Sequence, residues 1–341
     1  MTVTHAGTET TMTEMTIADA ARLGLAEEMR RDPTVWALGE DLGPEGGVAG
    51  QYRGLQVEFG PQRIVDTPIS ESTIMGSAVG AALVGTRPVV ELRYADFGIC
   101  AADELVNQAA KNRYMFGGQG RVPLVVRQSI GVRAGIAAQH SQSTEAWWVH
   151  IPGLVVVTPS TPADTRGLLK SAIRCDDPVV FMEHKSAWAD VGLVDEASDG
   201  AVPIGEGRIV RPGNDVTIVT WSRIVSTATD AAATLAERGI DAEVIDLRTL
   251  WPWDRDLVFE SVSRTGRLIV THESVQVGGF GAEVAAEVSE HLHGALRAPV
   301  RRLGAPRIPV PYSEPLEALV RVTPESIVEA ATAMSSAAGG R

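Results

Sequence analysis

The feature of this sequence that most limits its fold is an alternation of short β-branched runs with stretches of helical periodicity. Strand candidates in the first half are Val35–Asp41, Arg63–Ser70, Arg87–Tyr94, Val122–Ser129, Leu154–Ser160 and Pro178–His184. Helical stretches between them are Ser72–Val84, Ala101–Met115 and Pro162–Arg174. Such alternation is typical of a buried parallel sheet with helices on both faces. The pattern therefore predicts an α/β fold.

A second alternation of the same kind occupies the last part of the chain. Its strand candidates are Asp215–Trp221, Asp241–Leu247, Arg267–Glu273 and Ala298–Gly304, and its helix candidates are Ile224–Glu237, Arg255–Ser263 and Gly281–His291. The total of 341 residues fits two domains of roughly 100–200 residues each. We predict a domain over 15–190, a linker with one or two short strands over 191–213, a smaller domain over 214–335, and a Thr-rich disordered tail over 1–14.

Composition excludes several classes of partner and location. The net charge of −13 disfavours sequence-independent binding to nucleic acid or to anionic lipid. The two cysteines, Cys100 and Cys175, form no CxxC pair, so a disulfide framework is not expected. The longest apolar stretch, Ile74–Gly85, is shorter than the ~18–20 residues that cross a bilayer. The beginning of the chain lacks the features of a signal peptide. We expect a cytoplasmic protein.

Glu71 is the first candidate for chemistry, because ligands of parallel sheets lie beyond the carboxyl ends of the strands. It follows the strand candidate Arg63–Ser70 and precedes a helix that contains Gly76 and Gly80. Those two glycines would let a cofactor or another backbone approach closely. The alternative is that Ser70 or Ser72 caps the helix and that Glu71 only complements its positive end. Both interpretations remain open from the residues alone.

His140 is the second candidate. It lies in GIAAQHSQSTEAWW, a segment between strands that has no strong periodicity of its own. A histidine in such a loop can transfer protons near neutral pH, although a hydrogen-bonded structural histidine is the common alternative. A Ser141 nucleophile is rejected, because adjacent residues rarely form the required pair and no GxSxG turn is present. No Asp, Glu or His cluster has a recognisable metal-ligand spacing.

Several strings in the chain carry a family resemblance that covers about Met15 to Met334. They are GEDLG with GGV, DTPISES, AAKNRYMFGGQ, AAQHSQS, HIPGL, GLLKSAIR, DPVVFMEHK, VIDLRTLWPWD and GGFGAE. With these blocks in this order, the chain resembles the beta subunit of the thiamine-diphosphate-dependent decarboxylating component of 2-oxoacid dehydrogenase complexes. The resemblance implies a transketolase-like pyrimidine-binding domain followed by a transketolase C-terminal domain.

The resemblance assigns roles to particular residues. It implies that Glu71 hydrogen-bonds the aminopyrimidine ring of thiamine diphosphate and favours the imino tautomer that removes the thiazolium proton. It implies that Phe97, in YADFG, packs on that ring. His140 matches the histidine that assists proton transfer when the intermediate passes to a lipoyl group. The family also holds a potassium ion mostly through backbone carbonyls, at positions that match Leu124, Ala172, Ile173, Cys175 and Asp177.

An absent motif implies a partner chain. The resemblance leads us to expect a GDG sequence, followed by an Asn, that holds magnesium and the diphosphate, and this chain contains no GDG. Two phosphates need a compensating cation or a nest of donors. We therefore expect an alpha subunit that supplies magnesium, in an alpha2beta2 tetramer, together with a lipoyl-bearing transacylase.

The reaction implied is oxidative decarboxylation of a 2-oxoacid with acyl transfer to lipoyl. The substrate stays open between pyruvate, branched-chain 2-oxoacids and acetoin. One alternative is half of a two-chain carboligase or transketolase without a lipoyl partner. Another is a scaffold or regulatory relative that has lost its chemistry, which the presence of both Glu71 and His140 disfavours.

Overall fold

The structure, a computed structural model, describes residues 12–336. From Met12 to Val149 its elements are β1 (Met12–Thr16), α1 (Ile17–Arg31), β2 (Val35–Gly39), α2 (Leu55–Phe59), β3 (Ile64–Asp66), α3 (Glu71–Leu83), β4 (Arg87–Leu92), α4 (Ala110–Met115), β5 (Val125–Ile130) and α5 (Glu145–Val149). The next elements are β6 (Val155–Val157), α6 (Pro162–Arg174), β7 (Val179–His184), β8 (Val191–Asp195), β9 (Arg208–Arg211), β10 (Val216–Thr220) and α7 (Ile224–Glu237). The last are β11 (Ala242–Asp246), β12 (Thr249–Trp251), α8 (Arg255–Thr265), β13 (Leu268–Val275), α9 (Gly281–His291), β14 (Arg301–Ala305), α10 (Glu314–Glu317) and α11 (Pro324–Ser336).

The chain forms two compact units, and one segment of the chain belongs to the second unit although the residues on either side of it belong to the first. The first unit extends to Ser129 and resumes over His150–Ile204, whereas the second contains Ile130–Val149 and the chain from Gly205 onward. The predicted first domain, 15–190, thus includes a segment that folds with the second unit. The α/β class is confirmed, since parallel strands alternate with helices in both units.

In the first unit the strands are ordered β6-β7-β5-β4-β2-β3. The pairs β6–β7, β5–β4, β4–β2 and β2–β3 are parallel. Helices α1 and α6 pack together beside this sheet, and their inner faces supply Leu25, Leu168 and Leu169, which are fully buried. A threonine directly precedes each of these helices as its N-cap, Thr16 for α1 and Thr161 for α6. Its hydroxyl accepts a backbone N–H of the first turn.

Four buried polar side chains link three strands of this sheet. The Arg127 guanidinium on β5 lies 2.7 Å from the Glu183 carboxylate on β7 and 3.7 Å from the Glu91 carboxylate on β4. The Tyr52 hydroxyl donates to Glu91 at 2.9 Å, and the guanidinium lies 5.0 Å from the Tyr52 ring centre. Burial raises the pKa of Glu91 to about 7, although Arg127 opposes this shift.

The second unit contains a five-stranded sheet in the order β14-β13-β10-β11-β9. Strand β9 is antiparallel to β11 at the edge, whereas β11–β10, β10–β13 and β13–β14 are parallel. Helices α7 and α11 pack on one another and on this sheet. Their buried residues include Ala228, Leu235 and Ile327, so small and aliphatic side chains let the helices approach closely.

Several predicted boundaries differ from the structure. Met12–Thr16 pairs antiparallel with Val191–Asp195, so part of the predicted tail and part of the predicted linker form a two-stranded sheet; residues 1–11 lie outside the described part of the chain. Strand β3 ends at Asp66 because Pro68 has no N–H to donate to a ladder. The predicted helix Ala101–Met115 is a π-helix over Glu104–Ala109 followed by α4. Within residues 12–336, no helix combines the length and apolar character that a membrane span requires.

Candidate active site

Glu71 is the first residue of α3, one residue before the predicted helix start, and it lies between β3 and that helix, as predicted. The Ser70 side chain makes no capping bond to the helix and instead donates to the Pro68 carbonyl at 2.9 Å. The Ser72 hydroxyl donates to the Cys100 carbonyl at 2.5 Å. The alternative in which Ser70 caps this helix is therefore wrong. Glu71 is left half-buried at the positive end of α3, where a carboxylate is favoured.

A second carboxylate lies near Glu71, and the sequence analysis missed it. Glu40 directly follows β2, and β2 pairs with β3 so that Gly39 is opposite Asp66. Burial raises the pKa of Glu40, and the charge of Glu71 raises it further. Arg93 acts in the opposite direction. The only signal for Glu40 in the sequence is its place immediately after a strand candidate.

Phe97 lies in a 3₁₀ helix, Ala95–Ala101, that follows β4. Its ring is half-buried, with its centre 6.4 Å from the centre of the Tyr94 ring. The hydrogen bond from Ser72 to Cys100 ties the first turn of α3 to this 3₁₀ helix. Glu71 and Phe97, which the sequence placed separately, therefore lie on two elements that are packed and bonded to each other.

Gln128, on β5, is a further polar residue that the sequence analysis missed. Its side chain is fully buried, and neither Nε2 nor Oε1 has a hydrogen-bond partner within the described part of the chain. Gly98, the neighbour of Phe97, lies against it, because a Cβ added at Gly98 would be 2.4 Å from Gln128 Nε2. Buried amides are ordinarily paired, so an unpaired one beside the Phe97 segment indicates a place where a ligand group could bind.

His140 lies in the second unit, in the loop between β5 and α5. His140 is half-buried, and its backbone N–H donates to the Ala137 carbonyl at 3.4 Å. Ala137 and Gly135 have φ values of 59° and 75°, so the loop turns sharply just before His140. The structure thus places Glu71 and Phe97 in the first unit and His140 in the second.

Four of the residues expected to hold potassium, Ala172, Ile173, Cys175 and Asp177, lie at or just after the carboxyl end of α6 in the first unit, and Leu124 directly precedes β5. One guanidinium nitrogen of Arg87 lies 2.9 Å from the carbonyl oxygens of both Ile173 and Cys175. The Ala172 carbonyl accepts the Cys175 N–H at 3.2 Å, and the Leu124 carbonyl accepts the Val179 N–H at 3.0 Å. The Asp177 carboxylate pairs with Arg113. Burial raises the pKa of the Cys175 thiol.

Side-chain metal sites are not indicated in the described residues. Among residues 12–336, no group of three or more His, Cys, Asp or Glu side chains is arranged to hold a metal ion.

Comparison with known proteins gives consistent matches for both halves of the chain. The family models described as "Transketolase, pyrimidine binding domain" and "Transketolase, C-terminal domain" match residues 13–189 and 205–327. The chain is 46% identical to the acetoin:2,6-dichlorophenolindophenol oxidoreductase subunit beta of Cupriavidus necator, over 96% of this chain and 99% of that protein. It is 43% identical to the 2-oxoisovalerate dehydrogenase subunit beta of Bacillus subtilis, over 93% of this chain and 97% of that protein.

Two further matches extend this set. The chain is 44% identical to the mitochondrial pyruvate dehydrogenase E1 component subunit beta-1 of Arabidopsis thaliana, over 93% of this chain and 88% of that protein. Among solved structures, a split gene transketolase described as an inactive beta4 tetramer has a TM-score of 0.77 and 25% identity. That match covers 94% of this chain and 98% of the other chain.

The contact between Gly98 and Gln128 predicts a mutational coupling. Gly98→Ala should destabilise the chain by about 1–3 kcal/mol, because the new methyl group overlaps the fully buried amide of Gln128, which then has to shift. Adding Gln128→Ala should recover part of this loss. Denaturant unfolding of the three variants measures the effect.

Gly80→Ala is the matched control for this experiment. A Cβ at Gly80, on α3, would meet nothing within 4 Å, and alanine favours a helix, so this variant should be at least as stable as the parent chain. Two results would show that Gln128 does not constrain the 3₁₀ helix at Gly98. One is an equal change in unfolding free energy for Gly98→Ala and Gly80→Ala, and the other is simple additivity of Gly98→Ala and Gln128→Ala.

Proposed function

Because this chain belongs to the family of E1 beta subunits of pyruvate, branched-chain 2-oxoacid and acetoin dehydrogenases, built from transketolase pyrimidine-binding and C-terminal domains, we propose that it decarboxylates a 2-oxoacid, or cleaves acetoin, with thiamine diphosphate. The reaction transfers the acyl group to a lipoyl domain and requires an alpha subunit. The observation that carries this proposal is the uncapped start of α3, where Glu71 lies beside the Phe97 segment.

Glu71 is proposed to hold the cofactor's aminopyrimidine ring. When bound, thiamine diphosphate supplies the electron sink for the carbon that loses its carboxylate. The residues fit this group in three respects: Glu71 is a half-buried acceptor at a helix start, Phe97 offers an aromatic face on the adjoining 3₁₀ helix, and Gln128 beneath that helix has an unpaired amide. Glu71 hydrogen-bonds the ring nitrogen and favours the tautomer that can remove a proton. Positioned proton transfer of this kind typically contributes about 10²–10⁴-fold in rate.

His140 is proposed to move the proton that acyl transfer to lipoyl requires. An imidazole changes its charge near neutral pH, so it can give and accept a proton in one catalytic cycle. The sharp turn at Gly135 and Ala137 supports a loop that presents His140 in one defined conformation.

An alpha subunit is proposed to complete the site and to supply magnesium. Three observations support this: the chain has no GDG sequence, residues 12–336 contain no cluster of metal-binding side chains, and the relatives are named as beta subunits. At the end of α4, Tyr114, Met115 and Phe116 are 87%, 72% and 62% exposed, a patch suited to burial against another chain. The alpha2beta2 tetramer and a lipoyl-bearing transacylase are the expected assembly.

The cytoplasm is the proposed location, since Cys100 and Cys175 are both free and a reducing compartment keeps them so. Cell fractionation tests this, and recovery of the chain only from another compartment would contradict it.

The proposed substrate is pyruvate, a branched-chain 2-oxoacid or acetoin. Relatives of pyruvate, 2-oxoisovalerate and acetoin type all match this chain at 41–46% identity. The similarity to a split transketolase favours one alternative, a two-chain carboligase without a lipoyl partner. Reduction of a purified lipoyl domain by the assembled alpha and beta chains would support the main proposal, and ketol transfer without such reduction would support the alternative.

Potassium at the end of α6 is a separate proposal. What supports it is that the Ile173 and Cys175 carbonyls converge on one cationic nitrogen of Arg87, and that a carbonyl oxygen with one hydrogen bond has a second lone pair for a cation. The carbonyls of Leu124, Ala172 and Asp177 would complete the set.

If potassium binds there, replacing NaCl with KCl at equal ionic strength should raise the unfolding temperature of the assembled enzyme. At a concentration 100 times the dissociation constant, binding would stabilise by about 2.7 kcal/mol. Thermal unfolding in the two salts measures this. Identical unfolding temperatures up to high KCl would mean that these carbonyls bind no potassium and that Arg87 is their cationic partner.

Glu71→Gln should lower decarboxylation by the assembled two-chain enzyme by at least about 100-fold, because an amide cannot favour the same tautomer. Turnover with an artificial electron acceptor measures this step without the lipoyl domain. Glu196→Gln, at an exposed position of the first unit, serves as the matched control and should leave turnover unchanged. Parent-like turnover of the Glu71 variant would remove the role proposed for this carboxylate.

His140→Ala should lower lipoyl acylation about tenfold more than it lowers decarboxylation to the artificial acceptor, because only the first reaction needs its proton. The two rates are measured on one preparation, and His293→Ala, at an exposed histidine of the same unit, is the control. Equal losses in both assays would contradict the assignment of His140 to acyl transfer.

A further inference from the structure

Two carboxylates from late in the chain hold the backbone of the His140 segment, Ile130–Val149. The Val132 N–H donates to Glu273 Oε1 at 2.6 Å, and the Gly135 N–H donates to Glu317 Oε2 at 3.3 Å. All of these residues belong to the second unit. Hydrogen bonds from a backbone N–H to an ionised carboxylate are among the stronger ones in proteins. The segment is therefore bonded to β13 and to α10 before it reaches His140.

Each carboxylate is itself fixed by its surroundings. Glu317 is 2% exposed, and its other oxygen, Oε1, accepts from Arg321 at 2.5 Å. Glu273 lies on β13 between Thr271 and Val275, two residues at which this strand pairs with β14. Val132 is also buried, which means that its N–H would have no water to replace Glu273.

The other end of the segment is anchored by a third carboxylate. Glu145 is 1% exposed and accepts from Trp221 Nε1 at 3.2 Å. The Trp221 ring stacks on His272, with ring centres 5.1 Å apart, and His272 directly precedes Glu273. The anchors before and after His140 therefore meet on the same stretch of β13.

Between these anchors the backbone is strained. Ala137 has a φ of 59°, a left-handed conformation that costs a residue with a Cβ of order 1 kcal/mol or more and persists only when the surroundings impose it. The Ala137 carbonyl accepts the His140 N–H, so the strained residue and the histidine form one turn. A loop held at one end only would relax this strain and let His140 move.

We infer that Glu273 and Glu317 are positioning residues for His140, which hold its loop in a strained turn through hydrogen bonds to Val132 and Gly135. This inference rests on the proposed role of His140 in acyl transfer. The two glutamates touch neither substrate nor cofactor in this scheme. They act through the backbone of the loop, and Glu273 carries the larger share because its bond is shorter and its donor is buried.

The test measures hydrogen–deuterium exchange in the assembled two-chain enzyme for peptides that cover 131–142. Glu273→Ala should raise exchange there about tenfold or more, because a buried donor loses its charged acceptor. Glu273→Gln keeps a neutral acceptor and should give a smaller rise, and Glu317→Ala should give a smaller rise at Gly135. Glu290→Ala, at an exposed glutamate of α9, should change nothing.

A second measurement separates positioning from general destabilisation. Glu273→Ala should lower the ratio of lipoyl acylation to decarboxylation several-fold in the parent enzyme, but by less than about twofold when His140 is already Ala, because residues that act as a unit are not additive. Unchanged exchange at 131–142 would overturn the inference. An equal loss in both backgrounds would also overturn it, since Glu273 would then act independently of His140.

The proposed function and this inference fail in different ways. If His140→Ala leaves the ratio of the two rates unchanged, the proposed role of His140 is wrong, and the exchange data alone decide whether the glutamates hold the loop. If His140→Ala changes that ratio while Glu273→Ala changes neither the ratio nor the exchange, the proposed function stands and the inference is wrong.

Discussion

The buried ion pair between Arg127 and Glu183 is the constraint on which the site in the first unit depends. It joins β5 to β7, and the Glu91 carboxylate extends it to β4, all beneath the carboxyl ends of these strands. Gln128 follows Arg127 directly, Arg93 follows Glu91 by two residues, and Lys185 follows Glu183 by two residues, with its amine over the Tyr94 ring. Removing one partner of a buried pair typically costs 3–5 kcal/mol, about as much as breaking several core contacts. Strand positions fixed at this cost also fix the residues at the carboxyl ends of these strands.

Local signals in the sequence determine the elements that were predicted well. The helix Pro162–Arg174 was predicted with its observed limits, because Thr161 caps it and Pro162 stands in its first turn. The helix Ile224–Glu237 also matched, and it ends before Gly239, whose φ is 77°. Glu71 was predicted at the junction between a strand and a helix from a different local signal, since a strand followed by a helix of small residues marks the edge of a parallel sheet.

The residues that were missed depend on contacts far apart in the chain. Gln128 is unusual only because it is buried against Gly98 without a partner, and burial is set by packing that a single strand does not encode. The Ile130–Val149 segment joins the second unit through residues 141 and 182 positions later in the chain, Glu273 and Glu317. No periodicity or turn signal within the segment carries that information. The boundary of the first domain was predicted from the local alternation of strands and helices. That alternation does not indicate that Ile130–Val149 folds with the second unit.

Because the Ile130–Val149 segment folds with the second unit, Glu71 and His140 lie in different units of one polypeptide. The role proposed for Glu71 requires a fixed position relative to the cofactor ring, and Glu71 lies at the start of a helix that follows a strand of the parallel sheet. A residue that hands a proton to an incoming group needs an accessible loop, yet a free loop would spread His140 over many positions. The carboxylate anchors resolve this conflict, because they leave the tip of the loop accessible while its backbone is bonded on both sides. For Glu273 and Glu317, which accept from the backbone of the loop, charge matters as well as position, since a neutral acceptor would hold a strained turn less strongly.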